Sequence, residues 1–188
     1  MKHFLKLSLL AALGFSTWQW GQATTVHAKA WLAPILIARA WADSQVQDVD
    51  VKPWPWADTW PVAKLTVPVL GIEQYVLAGA NGAALPFGPG HLSGTSLPGQ
   101  RGTIVIAGHR DTHFEFAESL QPGTKIILES RDRRRSFYRV MHKHIVDART
   151  QNLDVDDNQD SLILVTCEPT STFSARGPYR LVVYAAAT

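Results

Sequence analysis

The chain has a single cysteine, Cys167, in 188 residues. That excludes an intramolecular disulfide, a zinc site built from several cysteines and a four-cysteine iron–sulfur cluster. An excess of one charge is also missing: 18 Lys+Arg stand against 16 Asp+Glu, for a formal net charge of +2. Phosphate neutralisation needs a basic surplus, so no nucleic-acid partner is expected. Tryptophan is absent after Trp60, since all 7 lie at positions 18, 20, 31, 41, 54, 56 and 60. With 46% hydrophobic and 18% charged residues, the chain has the means to bury a core, which argues against wholesale disorder.

Lys2 and Lys6 open the chain ahead of the apolar run LKLSLLAALGF. A basic start and a short apolar segment are the outline of an export signal. The run alone is shorter than the roughly 20 residues a bilayer span needs. Extended from Phe4 to about Val26 it is long enough, although Gln19 and Gln22 weaken it. Ala28-Lys29-Ala30 reads as a small-x-small cleavage site, so an uncleaved signal anchor and a cleaved signal both stay open. Either way the remainder is expected to be exported.

A second apolar stretch, AWLAPILIARAW, is read as lying on the membrane or packing on the domain. Tryptophan favours the boundary between apolar and wet surroundings, so Trp18 to Trp41 are read as interfacial, with packing on the domain as the alternative. VKPWPWADTWP, with its closely spaced prolines, reads as a stiff spacer. The expected organisation is therefore a membrane-associated segment over 1–45, a Pro/Trp-rich spacer over 46–60 and a folded domain over 61–188.

From Pro61 onward, apolar and β-branched runs alternate with turn signals. Strands are expected at Ala63–Val67, Gln74–Leu77, Thr103–Ala107, Lys125–Glu129, Ser136–Asp147, Leu162–Thr166 and Arg180–Tyr184. Gly79–Gly102, rich in Gly and Pro, reads as loop. Phe114–Leu120 reads as a short helix and ESRDRRRSF as a hairpin turn. Seven or more short strands with little helix indicate an all-β domain, a closed or nearly closed barrel.

Three residues at strand ends carry the candidate chemistry. Cys167 ends LILVT and begins a polar loop, where a sheet fixes the backbone and solvent reaches the thiol. A lone cysteine is often an inert buried side chain. A free thiol in an oxidising compartment is a liability unless it is used. His109 follows the strand TIVIA through Gly108, which permits a sharp turn, and Asp111 stands near to orient its ring or cap the next helix. A nucleophilic thiol needs a base or cationic partner, usually histidine; His91, His113, His142 and His144 compete with His109. His142 and His144 alternate on one strand and share a face. His109 and His113 lack a convincing third ligand, so no metal is expected. Arg180 starts the last strand, where a fixed guanidinium can stabilise a developing oxyanion; Arg176, in a Gly/Pro loop, is its rival.

TIVIAGHRDTHF, LILVTCEP and GPYRLVV, in that order, resemble the histidine, cysteine and arginine segments of sortases, cysteine transpeptidases that attach secreted proteins to cell-surface amines. FGPGHLSGTSLPGQRG is similar to the family's loop before the histidine strand. The likeness covers about Val62 to Tyr184. HAKAWLAPILIARAW and VKPWPWADTWPVAKL further resemble the sortase class of Gram-negative bacteria.

The resemblance implies an eight-stranded β-barrel with short helices, preceded by an N-terminal hydrophobic helix. It makes Cys167 the nucleophile, His109 the acid/base, Arg180 the oxyanion-stabilising residue and Thr166 a residue that shapes the substrate pocket. It implies no cofactor and no metal. The implied partners are a secreted protein with a C-terminal LPxTG-like sorting signal and an amine acceptor. The implied location is the inner membrane, single-pass, with the domain facing the periplasm. A cysteine hydrolase of the same architecture and a non-catalytic exported barrel are the alternatives. A peptidoglycan L,D-transpeptidase is disfavoured, because its histidine-glycine-cysteine segment is missing around Cys167.

Overall fold

Alternating burial sets the barrel wall. In PVAKLTV, Pro61, Ala63, Leu65 and Val67 are buried, while Val62, Lys64 and Thr66 are half-buried. That period of two places successive side chains on opposite faces of a strand. The computed structural model describes residues 15–16, 31–153, 155–156, 158–167 and 177–188.

Eight strands follow one another: β1 (Pro61–Val67), β2 (Ile72–Ala78), β3 (Gly90–His91), β4 (Thr103–Ala107), β5 (Lys125–Ser130), β6 (Arg135–Asp147), β7 (Ser161–Cys167) and β8 (Tyr179–Ala187). They close into a barrel in the order β1-β2-β3-β4-β7-β8-β6-β5. Closure removes the unpaired edges on which open sheets aggregate. Each expected strand is present. β3 is the addition, lying in the stretch read as loop; its two residues pair in parallel with β2 and antiparallel with β4.

The barrel interior is filled by Leu65, Ile104, Ile106, Ile126, Leu128, Leu162, Leu164 and Val183. Phe114, Phe116, Ala117 and Leu120 join the same core. Phe116 and Ala117 lie in a short 3-10 helix, Glu115–Ser119, flanked by Phe114 and Leu120, where a short helix was expected. A smaller cluster gathers Val105, Val146, Ile163 and Val182 with Leu153, Val165 and Tyr184. These residues alternate with the interior ones along their strands, so they lie on the outer face of the wall.

The chain forms two compact units, 1–36 and 37–188. In the first, the described residues are helical, and Trp31, Leu32 and Ile35 are exposed. In the second, residues 37–47 form a helix, α1, whose buried stripe is Ile37, Ala40, Trp41 and Ser44. The spacing i, i+3, i+4, i+7 is one helix face. Trp41 is 4% exposed, and its ring lies 6.3 Å from that of Tyr75 on β2. Gln45 donates to Glu129 on β5 at 3.1 Å. At Trp41, packing on the domain is what the structure shows.

The spacer also packs. Trp54 meets Phe87 edge-on at 5.1 Å, and Thr59 donates its hydroxyl to the Ala78 carbonyl at 2.8 Å. Arg131 on the β5–β6 turn binds Asp48 at 3.2 Å and Asp50 at 2.7 Å. Among the described residues no helix is long and apolar enough to cross a membrane. The Phe4–Val26 stretch lies outside them apart from residues 15 and 16.

Candidate active site

Register brings the three strand-end residues together. β7 pairs antiparallel with β8, and Cys167 stands directly opposite Arg180. Opposed residues in such a pair have Cβ atoms about 4.5–5.5 Å apart and share a face. On β7, Leu162, Leu164 and Thr166 are buried on the interior side; Ile163, Val165 and Cys167 alternate with them. Cys167 and Arg180 therefore stand on the outer face, and the thiol is exposed.

β4 pairs in parallel with β7, matching Ala107 to Val165. Two bonds carry the tie one residue further. The Gly108 N–H donates to the Val165 carbonyl at 3.0 Å, and the Thr166 hydroxyl donates to the Gly108 carbonyl at 2.8 Å. His109 comes next. It is exposed and stands two residues beyond the last residue of β4. Histidine, cysteine and arginine thus come from the ends of three neighbouring strands.

Thr166 is 3% exposed and turned to the inside. Its hydroxyl bond ties the residue after β4 to β7. Gly108 is explained by space and not by a left-handed turn: a Cβ there would meet the Phe114 ring at 2.8 Å. Phe114 is fully buried, so the ring has no room to yield. Beyond Gly108, the His109 carbonyl accepts from the N–H groups of His113 at 3.1 Å and Phe114 at 2.9 Å. Asp111 pairs with its neighbour Arg110 at 2.5 Å, and the helix Glu115–Ser119 has no side-chain cap.

Arg180 is held by its own Nη1, which donates to the carbonyls of Gly177 at 2.7 Å and Tyr179 at 2.8 Å. Among the described residues its Nε and Nη2 donors make no hydrogen bond, which leaves one side of the planar fork open. Arg176 lies outside the described residues.

The competing histidines sit elsewhere or differently. His91 is buried, with Nε2 2.9 Å from the Ser96 carbonyl and 3.2 Å from the Thr95 hydroxyl. Burial pushes its pKa below the ordinary value. His142 and His144 share the outer face of β6, where both rings lie near-parallel to Tyr184, at 4.9 and 5.4 Å. His113 is half-buried beside His109. Burial and then the neighbouring imidazole lower its pKa, against the carbonyls of Pro86 and Leu85, which raise it. No group of three metal-ligating side chains forms among the described residues.

A cleft of about 830 Å³ opens at the other end of the barrel, lined by Trp60, His91, Thr95, Gln100, Arg131 and neighbours. It contains none of the three residues.

Residues 65–188 match the family described as Sortase domain. The chain belongs to the sortase family. It is 30% identical over 122 residues to Sortase D of Bacillus subtilis (strain 168), covering 64% of this chain and 60% of that protein. It thus spans about 60% of the length of this curated relative. Among solved structures, sortase A from Corynebacterium diphtheriae shares 28% identity at a TM-score of 0.61, over 71% of this chain and 63% of that one. A Clostridium perfringens sortase D5 transpeptidase, 19% identical, shares the fold at 0.63, over 83% of this chain and 96% of that one. The sortase barrel is the eight-stranded closed wall described above.

The register brings Cys167 and Arg180 opposite one another and His109 to the end of the neighbouring strand, whereas the Thr166–Gly108 bond and the close approach of Phe114 to Gly108 were not read from the sequence. Nor was Gln74, whose Nε2 donates to the His113 carbonyl at 2.8 Å.

Proposed function

We propose that this sortase-family domain is a cysteine transpeptidase that cleaves an LPxTG-like sorting signal and transfers the acyl fragment to an amine. The observation that carries the reading is the register: an exposed Cys167 opposite Arg180 on β7–β8, with His109 following the parallel strand β4. A nucleophile, a proton carrier and a fixed cation on one face are what acyl transfer through a thioester requires.

The Cys167 thiolate attacks the carbonyl carbon of the scissile peptide bond and forms a C–S bond. The open side of the Arg180 fork stabilises the oxyanion. The C–N bond breaks as protonated His109 gives its proton to the leaving amine, and a thioester remains on Cys167. An acceptor amine then attacks the thioester carbonyl, His109 takes its proton, and the C–S bond breaks to release the thiolate. Because His109 must serve as acid in one half and base in the other, rate against pH is expected to be bell-shaped. In this reading, the apolar residues Phe4–Val26 tether the domain to the inner membrane, facing the periplasm of a Gram-negative cell. The substrate is a secreted protein ending in the sorting signal.

The test is product analysis. The chain is incubated with a peptide containing an LPxTG-like segment, with and without hydroxylamine as an amine. A thioester adduct on Cys167 and a hydroxamate product support transpeptidation. A carboxylate product alone, at every amine concentration, makes the domain a hydrolase.

A further inference from the structure

β6 changes phase part-way along. Tyr138 and Val140 are buried in the barrel interior. Counted on in steps of two, His142 and His144 would turn inside as well. They do not, because the pairing with β8 shifts between Val140 and His142. Val140 stands opposite Ala185, and His142 stands opposite Tyr184, the very next position on β8. Met141 is thus the extra residue of a β-bulge, and a bulge re-aims the side chains beyond it. The two imidazoles emerge exposed on the outer face, opposite Tyr184 and Val182.

Three rings stand together there. His142 and His144 have centroids 5.6 Å apart and planes 16° from parallel. Tyr184 lies near-parallel to both, at 4.9 and 5.4 Å. The neighbours on this face are apolar: Val146, Ile163 and Val182 form one cluster, against which Tyr184 packs. Packing on such a surface asks for apolar bodies and not for imidazoles. A neutral imidazole also carries a lone pair on one ring nitrogen. Among the described residues no side-chain hydrogen bond or ion pair engages either ring.

We propose that His142 and His144 chelate a divalent transition-metal ion of the zinc type, with water in the remaining coordination positions. Imidazole suits zinc, copper and nickel, whereas magnesium and calcium take oxygen ligands. With each nitrogen about 2.0–2.1 Å from a zinc ion, two imidazoles that share it have centroids about 5–6 Å apart. The pair already stands at 5.6 Å. Both rings are exposed, and exposed side chains change rotamer fast enough to turn a nitrogen of each to one ion without moving the strand. The Tyr184 ring stacked on both limits how far they stray, which lowers the ordering cost of binding. The site uses neither Cys167 nor His109, and it stands whether or not the domain is a transpeptidase.

The experiment titrates zinc chloride into the full chain in detergent, by calorimetry at neutral pH. Cys167→Ser is the parent, because a thiolate binds zinc in its own right. The chain has 7 histidines, so those other than His142 and His144 set a background that every variant shares. His142→Ala and His144→Ala are each expected to weaken the zinc affinity by about 10- to 100-fold, at least the loss that follows removal of a group merely supporting a ligand. The double variant is expected to fall no further than either single one, since one imidazole alone does not chelate. Zinc is expected to raise the Tm of the parent and of neither variant, because an ion that binds only the folded chain stabilises it. Without zinc, all of these chains are expected to melt together, since both rings are exposed. Calcium chloride is expected to give no response.

Zinc affinity unchanged in both single variants overturns the site. So does a loss in one variant alone, which would pair that histidine with some other group. Calcium binding as tight as zinc binding overturns the metal class. If a variant melts lower without zinc, the histidine ring signals in the NMR spectrum of the parent decide: zinc must shift those of His142 and His144 together, and a shift in neither overturns the proposal.

Discussion

The two ends of the barrel differ in what they gather. One end holds the large cleft, walled by the spacer, the β5–β6 turn and the loop after β3. Its charges are committed to one another, with Arg131 bound to Asp48 and Asp50, and Arg134 to Asp132. The other end brings an exposed thiol, an exposed histidine and an arginine fork to the ends of three neighbouring strands. Strand register, not concavity, is what marks the second end as the candidate site, because a nucleophile and its partners need fixed separation.

Substitutions at each end test that division, beginning with the largest effect. Cys167→Ala should abolish peptide cleavage and leave the fold intact, since the side chain is small and exposed. Circular dichroism and a cleavage assay check both halves; substantial residual cleavage removes Cys167 as nucleophile. Arg180→Lys should lower kcat by about 10²–10³, the usual cost of losing one oxyanion donor, because lysine has no planar fork. A loss confined to KM would make Arg180 a docking group.

The third test concerns the spacer end. A chain cut to 37–188 keeps α1 and the spacer, whereas 61–188 loses the burial of Ile37, Trp41, Ala57 and Thr59. Burying one large apolar side chain contributes about 1.5–3 kcal/mol, and about 1 kcal/mol moves Tm by roughly 2–4 °C at this size. The shorter chain is therefore expected to melt about 10 °C lower or more, by calorimetry. Equal Tm values would show that the segment before Pro61 packs without stabilising.

The smallest expected effect is on pH dependence. His91 at the cleft end and His113 beside His109 both have pKa values lowered by burial. As pH falls below the ordinary histidine value of 6.5, the unfolded chain takes up these protons before the folded one does. Stability from these residues is present above that value and is lost as pH falls. Tm should therefore drop between pH 7 and 5, and His91→Gln should flatten part of the slope. A His91→Gln chain with an undiminished slope would leave His91 without this role.

What the sequence made legible follows from which forces are local. β1, β4, β5 and β7 announce themselves because alternation or a short apolar run is a local pattern. β3 does not, since Gly90–His91 becomes a strand only through β2 and β4. α1 carried a clear apolar stripe, but such a stripe reads the same against lipid as against a barrel wall. Trp41 found Tyr75. Among site residues, Cys167, His109 and Arg180 were visible as polar groups closing or opening apolar strands. The Thr166–Gly108 bond and the space Gly108 leaves for Phe114 were not, because one depends on the inward side of β7 and the other on a ring six residues away in sequence.

The parallel pairing of β4 with β7 has a consequence in time. The bond from Thr166 to Gly108 joins residues 58 positions apart, and no shorter piece of chain holds both the thiol and its histidine. Contacts of long sequence separation form slowly, because closing the intervening chain costs entropy before any pairing repays it. Until the wall closes, a newly made chain holds Cys167, His109 and Arg180 apart. Their meeting at one end of the barrel is thus among the late events of folding.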